Sequence, residues 1–165
     1  MLFGWIKAIV ILPFNALVVL PVLAVWISGE KISIKDGWQL YLAILVFAIG
    51  FSLAIWTMIL FHRIGKGTAA PWDPPKKLVV VGPYRHVRNP MLTSVFIMLI
   101  AEVLVTGSWT IAVFFVIFLT INMLYFPFVE EKELLCRFGE DYARYKANVP
   151  RYIPRFRPWI NIDIN

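Results

Sequence analysis

Two groups of polar residues interrupt an otherwise apolar sequence and carry side chains that could do chemistry. The first is the stretch 71–92 (PWDPPKKLVVVGPYRHVRNPML), and the second is the acidic pair Glu130-Glu131, which directly follows an apolar block. Five prolines exclude a continuous helix through the first stretch, because proline lacks an amide donor and fixes its own φ. Such a stretch has no use in merely crossing a membrane, so it predicts the wall of an active site. Its cations are Lys76, Lys77, Arg85 and Arg88.

The common sequence signatures of catalytic sites are absent. The sequence has no HExxH zinc helix, no Walker loop, no GxGxxG turn and no GxSxG elbow. One cysteine, Cys136, and two histidines, His62 and His86, offer too few ligands for a metal site built from Cys or His. We therefore predict no metal centre and no dinucleotide-binding turn.

The composition is that of a membrane protein. Of the 165 residues, 60% are hydrophobic and 16% are charged, and the mean hydropathy is +0.75. Soluble domains carry roughly 25% charged residues. The N-terminal apolar block is long enough to remain as a span and lacks an Ala-x-Ala cleavage site, so we expect no cleaved signal peptide.

Four apolar blocks predict an all-α, polytopic membrane protein with about four transmembrane helices, which need about 20 residues each. The last two blocks are joined by Thr106-Gly107-Ser108, a link short enough to make them a helical hairpin. The third block is short for a span, which leaves open whether it crosses the bilayer fully. The blocks are 5–27, 38–61, 91–105 and 109–129, with the loop 62–90 in the middle.

The segment 130–165 predicts an amphipathic helix at the cytoplasmic face, followed by a basic tail. Glu133–Arg137 and Glu140–Arg144 have the spacing of helix-supporting ion pairs, and Gly139 is a candidate break in the helix. The tail combines prolines, arginines and aromatic residues, which suit the headgroup layer of a membrane. Apolar residues three or four positions apart form one stripe, which consists of Leu134, Leu135, Phe138, Tyr142 and Tyr145.

The basic residues predict the orientation. The loop 62–90, the segment after Val129 and Lys7 hold fourteen of the sixteen Lys and Arg residues, and Lys31 and Lys35 are the other two. With four spans, the positive-inside rule places both termini and the loop in the cytoplasm, in an inner or cytoplasmic membrane. The net charge of +6 then reflects topology and does not indicate a nucleic-acid partner.

The two polar groups resemble the signature of a known family. Residues 82–91 (GPYRHVRNPM) resemble the GxYxxxRHPxY motif of the integral-membrane methyltransferases. That group includes isoprenylcysteine carboxyl methyltransferase and the phospholipid N-methyltransferases. The resemblance covers residues 65–150, about half of the chain. Its second half consists of Glu130-Glu131, Leu134, Phe138-Gly139, Tyr142, Tyr145 and Val149-Pro150.

The resemblance implies that S-adenosylmethionine binds at the cytoplasmic face, between the loop, the hairpin and the C-terminal helix. Methyl transfer is an in-line displacement that needs no metal, so the protein supplies proximity, alignment and the exclusion of water. The implied catalytic residues are Arg88, Asn89 and Glu130, and the candidates for acceptor binding are Asn122, Phe126 and Arg151. The implied cofactor contacts are Lys76, Lys77, Leu78, Val79, Tyr84, Asn89, Pro90, Met91, Leu92, Glu130 and Glu131.

Three departures from the signature bear on the acceptor. Asn89 replaces the histidine of the RHP triplet, and Leu92 replaces the tyrosine that follows it. Phe126 stands where the isoprenylcysteine enzymes carry an arginine for the substrate carboxylate. We expect methylation of a lipophilic acceptor, as in isoprenylcysteine carboxyl methyltransferase, with a phospholipid amine as the alternative. An NADPH-dependent sterol-type reductase and a non-enzymatic membrane scaffold are the competing hypotheses, and the oligomeric state is open.

Overall fold

The computed structural model describes residues 10–67 and 74–160, which form helices and contain no strand. The predicted all-α class is therefore confirmed for this part of the chain. Residues 5–9 of the first predicted span, residues 68–73 of the loop and residues 161–165 of the tail lie outside the described residues. Helix α1 consists of π-helical Val10–Val19 and α-helical Leu20–Ser28, and α2 is Trp38–Leu60, continued by π-helical Phe61–Gly65. Helix α3 is Pro90–Thr106, and α4 is Trp109–Tyr125, continued by π-helical Phe126–Glu130. Helix α5 is Glu131–Asn148.

Two continuous helices within the described residues are long and apolar enough to cross a membrane. They are Trp38–Gly65 and Trp109–Asn148, and the apolar part of the second ends at Val129. A core helix of a soluble protein would be mostly buried, whereas only 11% of each apolar window is buried here. Two shorter apolar helices accompany them, Pro13–Ser28 and Pro90–Thr106. The count of four spans and the cytoplasmic position of α5 stay predictions.

Small residues let α2 and α3 pack closely. The buried positions of α2 are Ala43, Gly50 and Thr57, which are seven residues apart and so lie on one face of the helix. A Cβ at position 50 would lie 2.8 Å from Cγ of Met98 and 3.0 Å from the carbonyl oxygen of Ser94. Small residues at such contacts permit close helix packing where lipid removes the hydrophobic driving force.

The predicted hairpin between α3 and α4 is present, and a carboxylate fixes it at the end away from the polar loop. Gly107 closes α3 in the left-handed conformation, with φ of 60°, and the Ser108 hydroxyl caps α4. Glu30, from the α1–α2 connection, accepts hydrogen bonds from the Ser108 hydroxyl and from the backbone amides of Trp109 and Thr110. Hydrogen bonds from Thr110 and Ser108 lower the pKa of Glu30 to about 2. The carboxylate thus satisfies the free amides at the start of α4.

The amphipathic stripe of α5 packs against protein. Gly139 has non-helical backbone angles, φ of 53° and ψ of −127°, so α5 is kinked where the sequence predicted a break. Tyr142 and Tyr145 of the stripe form a buried core with Val80 from the loop and Val149 from the tail. The other stripe residues pack against this core. The rings of Tyr145 and Trp159 lie 5.9 Å apart. The loop, α5 and the tail therefore form one packed unit.

Enlarging Gly50 tests the close packing of α2 on α3. We expect Gly50→Val to lower the free energy of unfolding by about 1–3 kcal/mol, because the new side chain overpacks against Met98 and the backbone of Ser94. Thermal denaturation in detergent micelles measures the effect. Ser52→Val is the matched control, since Ser52 is exposed on the same helix. Equal melting temperatures for the two variants would contradict this packing.

Candidate active site

A cavity of about 510 Å³ lies between the helices, with a polar end and apolar walls. The polar end is lined by Tyr84, Arg88 and Asn89 of the loop, together with Glu130. The two polar groups of the sequence, separated by some 40 residues, therefore meet at one place. The apolar walls extend away from them and include Ala16, Leu20, Ala54, Met58, Val95, Met98 and Phe118.

The three π-helical segments found within residues 10–67 and 74–160 all border this cavity. Val10–Val19 contributes Asn15, and Phe61–Gly65 contributes Phe61. Phe126–Glu130 contributes both of its terminal residues. A π-helical turn is rare and is frequently found at functional sites. The local geometry of the helices thus marks the cavity independently of the sequence motif.

Of the adjacent acids Glu130 and Glu131, Glu130 is the one that lines the cavity. It is the first residue after the apolar part of the Trp109–Asn148 helix, and it is partly buried. Burial, together with the nearby charge of Glu133, raises its pKa to about 7. A carboxyl group with such a pKa changes between acid and base near neutral pH, which is the property that proton transfer in an active site requires.

Glu131 has the opposite environment, and it does not line the cavity. Its side chain is 1% exposed and contacts Nη1 of Arg88 at 2.7 Å, Nζ of Lys146 at 2.8 Å and Nε of Arg151 at 2.7 Å. Burial alone would raise its pKa, but the hydrogen bonds from Arg151 and Lys146 and the charges of Arg88 and Arg151 lower it. Glu131, predicted as a cofactor contact, is instead the centre of a buried ion cluster.

Arg88 and Tyr84 present buried polar atoms at the cavity. The Arg88 side chain is 8% exposed, and its Nη1 is fixed by Glu131. Its Nε and the hydroxyl oxygen of Tyr84 are buried without a hydrogen-bond partner among the described residues. Burial raises the pKa of Tyr84, so its hydroxyl stays protonated. Buried polar atoms are nearly always hydrogen-bonded, so these two donors are suited to a ligand in the cavity.

The residues 89–92 form the start of α3 beside the cavity. The Asn89 side chain accepts a hydrogen bond of 3.1 Å from the Leu92 amide, and Pro90 occupies the first helical position. Asn89 was predicted as catalytic, and the structure shows it capping the helix. Pro90 is fully buried, whereas Asn89, Met91 and Leu92 line the cavity.

The predicted cofactor contacts 76–79 do not line the cavity. The amides of Lys76 and Lys77 donate hydrogen bonds of 2.8 and 3.3 Å to the Gly65 carbonyl at the end of α2. Val79 is buried, and Leu78 packs against the α5 core. This segment is turned toward α2 and α5, so the cavity is bordered by the residues just before it, Pro74 and Pro75.

The acceptor candidates divide between the cavity and the ion cluster. Asn122 and Phe126 line the cavity, and Nδ2 of Asn122 donates a hydrogen bond of 2.8 Å to the Phe118 carbonyl. Phe126 is 4% exposed. Arg151 is not among the cavity residues, because its guanidinium is directed to Glu131.

Several cavity residues were missed by the sequence reasoning. Glu133, Leu134 and Arg137 line the cavity with Glu130. Helical spacing could have found them, since positions three, four and seven residues apart share a helix face. Asn15, inside the first apolar block, also lines the cavity. No group of three or more metal-binding side chains occurs in the part of the chain that the structure describes.

The ion cluster predicts that Glu131 matters for stability. We expect Glu131→Gln to lower the free energy of unfolding by about 3–5 kcal/mol, because three cations lose the carboxylate between them. Thermal denaturation in micelles measures this. Glu140→Gln is the control, since Glu140 is exposed and its ion pair is 3.6 Å long. If both variants melt at the same temperature, the cluster is not structural.

The contribution of Glu131 to stability should also depend on pH. Because the pKa of Glu131 is lowered in the folded protein, this contribution is fully present above the ordinary pKa of 4.5 and is lost as the pH falls through the folded-state value.

Comparison with known proteins identifies the family of the protein. The profile of the phospholipid methyltransferase family matches residues 38–141. The matched region runs from the start of α2 into α5 and includes the cavity residues Tyr84, Arg88 and Glu130. A comparison with curated proteins gives no match. Because the profile covers more than half of the chain, the protein belongs to the phospholipid methyltransferase family of membrane methyltransferases.

Proposed function

We propose that the protein transfers a methyl group from S-adenosylmethionine to a lipophilic acceptor at the cytoplasmic face of the membrane, as isoprenylcysteine carboxyl methyltransferase does. One observation carries this proposal. Donors from the loop, Tyr84 and Arg88, and the acid Glu130 line a cavity whose remaining lining is mostly apolar. An amphiphile has the same division, since its reactive head is polar and its chain is apolar.

The residues at the polar end fit the cofactor. S-adenosylmethionine, when bound, supplies a methyl group on a positively charged sulfur. Glu130 would accept hydrogen bonds from ribose hydroxyls, and Arg88 and Tyr84 would donate to the carboxylate end. The unpartnered Arg88 Nε and Tyr84 hydroxyl support this assignment, because a ligand would satisfy them. Phe61 lies against the Tyr84 ring, with 5.5 Å between centroids, and adds an aromatic surface near an adenine.

The apolar walls would exclude water and align the acceptor. Met91, Leu92 and Phe126 line the cavity beside the polar residues. Displacement at a methyl group is fast only when the two reacting atoms are held in line and close together, and a rigid apolar wall restricts the acceptor to such positions. The exclusion of water also strengthens the interactions of Arg88 and Glu130 with a ligand.

A phospholipid amine is the second candidate acceptor, and two observations favour it. No Lys or Arg lies between Trp109 and Val129, and Phe126 occupies the position of the carboxylate-binding arginine. Glu130, with a pKa of about 7, would repel a carboxylate when ionised but could take the proton from an ammonium group. An amine is a nucleophile only after it loses that proton. The family match is equally compatible with this acceptor.

The location is proposed from the charge distribution. Fourteen of the sixteen Lys and Arg residues belong to the loop side, which places the active site and both termini in the cytoplasm. The cavity then opens to S-adenosylmethionine from the cytoplasm and to the acceptor from the bilayer.

Glu130→Gln tests the cofactor site. We expect wild-type protein in lipid nanodiscs to bind S-adenosylmethionine saturably, and the variant to bind at least about tenfold more weakly because it loses a charged acceptor. Wild-type affinity should rise as the pH increases through about 7, where Glu130 ionises, and the variant should lack this dependence. Leu135→Ala is the control for stability, because Leu135 packs on the α5 core and does not line the cavity. Normal binding by Glu130→Gln would refute the site, and no binding by folded wild type would direct the search to NADPH.

Labelled methyl transfer identifies the acceptor. Nanodiscs containing phosphatidylethanolamine and nanodiscs containing a farnesylated cysteine are offered in parallel with labelled cofactor. Labelling of the farnesylated cysteine as a base-labile ester supports the first acceptor, whereas a base-stable label on the phospholipid establishes the second. The absence of both products from a protein that binds the cofactor would exclude these two acceptors.

A further inference from the structure

The residues 149–160 run along the loop that carries Arg88, and we name them the C-terminal strap. Three backbone hydrogen bonds of 3.0 Å join the two segments: the Arg88 amide to the Pro150 carbonyl, the Arg155 amide to the His86 carbonyl, and the Trp159 amide to the Arg85 carbonyl. Nδ1 of His86 also lies 2.7 Å from the Arg155 carbonyl and must donate, since a carbonyl only accepts. The strap follows the region that the family profile matches.

A side chain of the strap reaches the ion cluster. Nε of Arg151 and Nη1 of Arg88 each lie 2.7 Å from the same carboxylate oxygen, Oε1 of Glu131. Lys146 contacts the other oxygen. Arg88 lines the cavity and Arg151 does not. The position of the Glu131 carboxylate therefore links a cation outside the cavity to a cation in its wall.

We propose that Arg151 is a positioning residue of the active site, which acts through Glu131 to hold the Arg88 guanidinium at the cavity. This deepens the proposed function and rests on it where the cavity is treated as the cofactor site. Arg151 fixes the carboxylate from the side of the strap, and the carboxylate fixes Arg88. Without Arg151, Oε1 loses one of its two contacts, and the Arg88 guanidinium is held less firmly beside the cavity.

The strap has other attachments that allow this ion contact to be tested by itself. Val149 is 1% exposed in the α5 core, and Trp159 packs on Tyr145 at the other end of the strap. The three backbone hydrogen bonds do not involve the Arg151 side chain. An Arg151 variant should thus keep the strap in place while it releases Glu131.

The test compares Arg151→Ala, Arg151→Lys and Arg157→Ala in lipid nanodiscs. Arg157→Ala is the matched control, because it removes a cation from an exposed position of the same strap. We expect the Kd for S-adenosylmethionine to rise about tenfold in Arg151→Ala, to be intermediate in Arg151→Lys and to stay at the wild-type value in Arg157→Ala. Arg88→Ala should raise this Kd by a smaller factor in the Arg151→Ala background than in wild type, because both arginines act through Oε1 of Glu131.

Two outcomes would overturn the proposal. One is wild-type affinity in a folded Arg151→Ala protein, and the other is a lysine variant that binds no better than the alanine variant. Hydrogen–deuterium exchange separates this inference from the proposed function. If wild type binds no cofactor, the proposed function fails, but faster exchange of residues 85–92 in Arg151→Ala would still support the positioning role. Unchanged exchange there would refute that role whatever ligand the cavity takes.

Discussion

The buried carboxylate of Glu131 constrains the whole polar half of the molecule. A buried charge without partners costs several kcal/mol, so cations must be brought to it. Arg88 comes from the loop, Lys146 from α5 and Arg151 from the strap. These three segments cannot move apart without exposing the ions or leaving them unpaired, so one interaction sets the relative position of all three.

The adjacent glutamates show how strongly surroundings determine a role. The three cations compensate Glu131 and lower its pKa, whereas burial and a neighbouring acid raise the pKa of Glu130. Glu131 is thereby kept ionised at neutral pH and has a structural role. The other is left to interact with what enters the cavity. Two adjacent acidic residues in a sequence can therefore have different roles.

Much of the architecture was readable from the sequence, but the direction of individual side chains was not. The apolar blocks, the Thr106-Gly107-Ser108 link and the Gly139 break predicted the helices, the hairpin and the kink, because each depends on local residues. Glu130 ends the π-helical turn Phe126–Glu130, and the spacing of a regular helix does not describe such a turn. The direction of Arg151 depends on the fold of the strap, which helical periodicity does not describe.

The position of α1 has a consequence for the diversity of such enzymes. This helix precedes the region that the family profile matches, yet Asn15, Ala16 and Leu20 form part of the cavity wall. The ionisable residues of the cavity, in contrast, all lie inside that region, from Tyr84 to Arg137. Substitutions in the N-terminal helix can therefore reshape the cavity while the residues from the matched region stay the same, so that selectivity for the proposed acceptor can change without new catalytic residues.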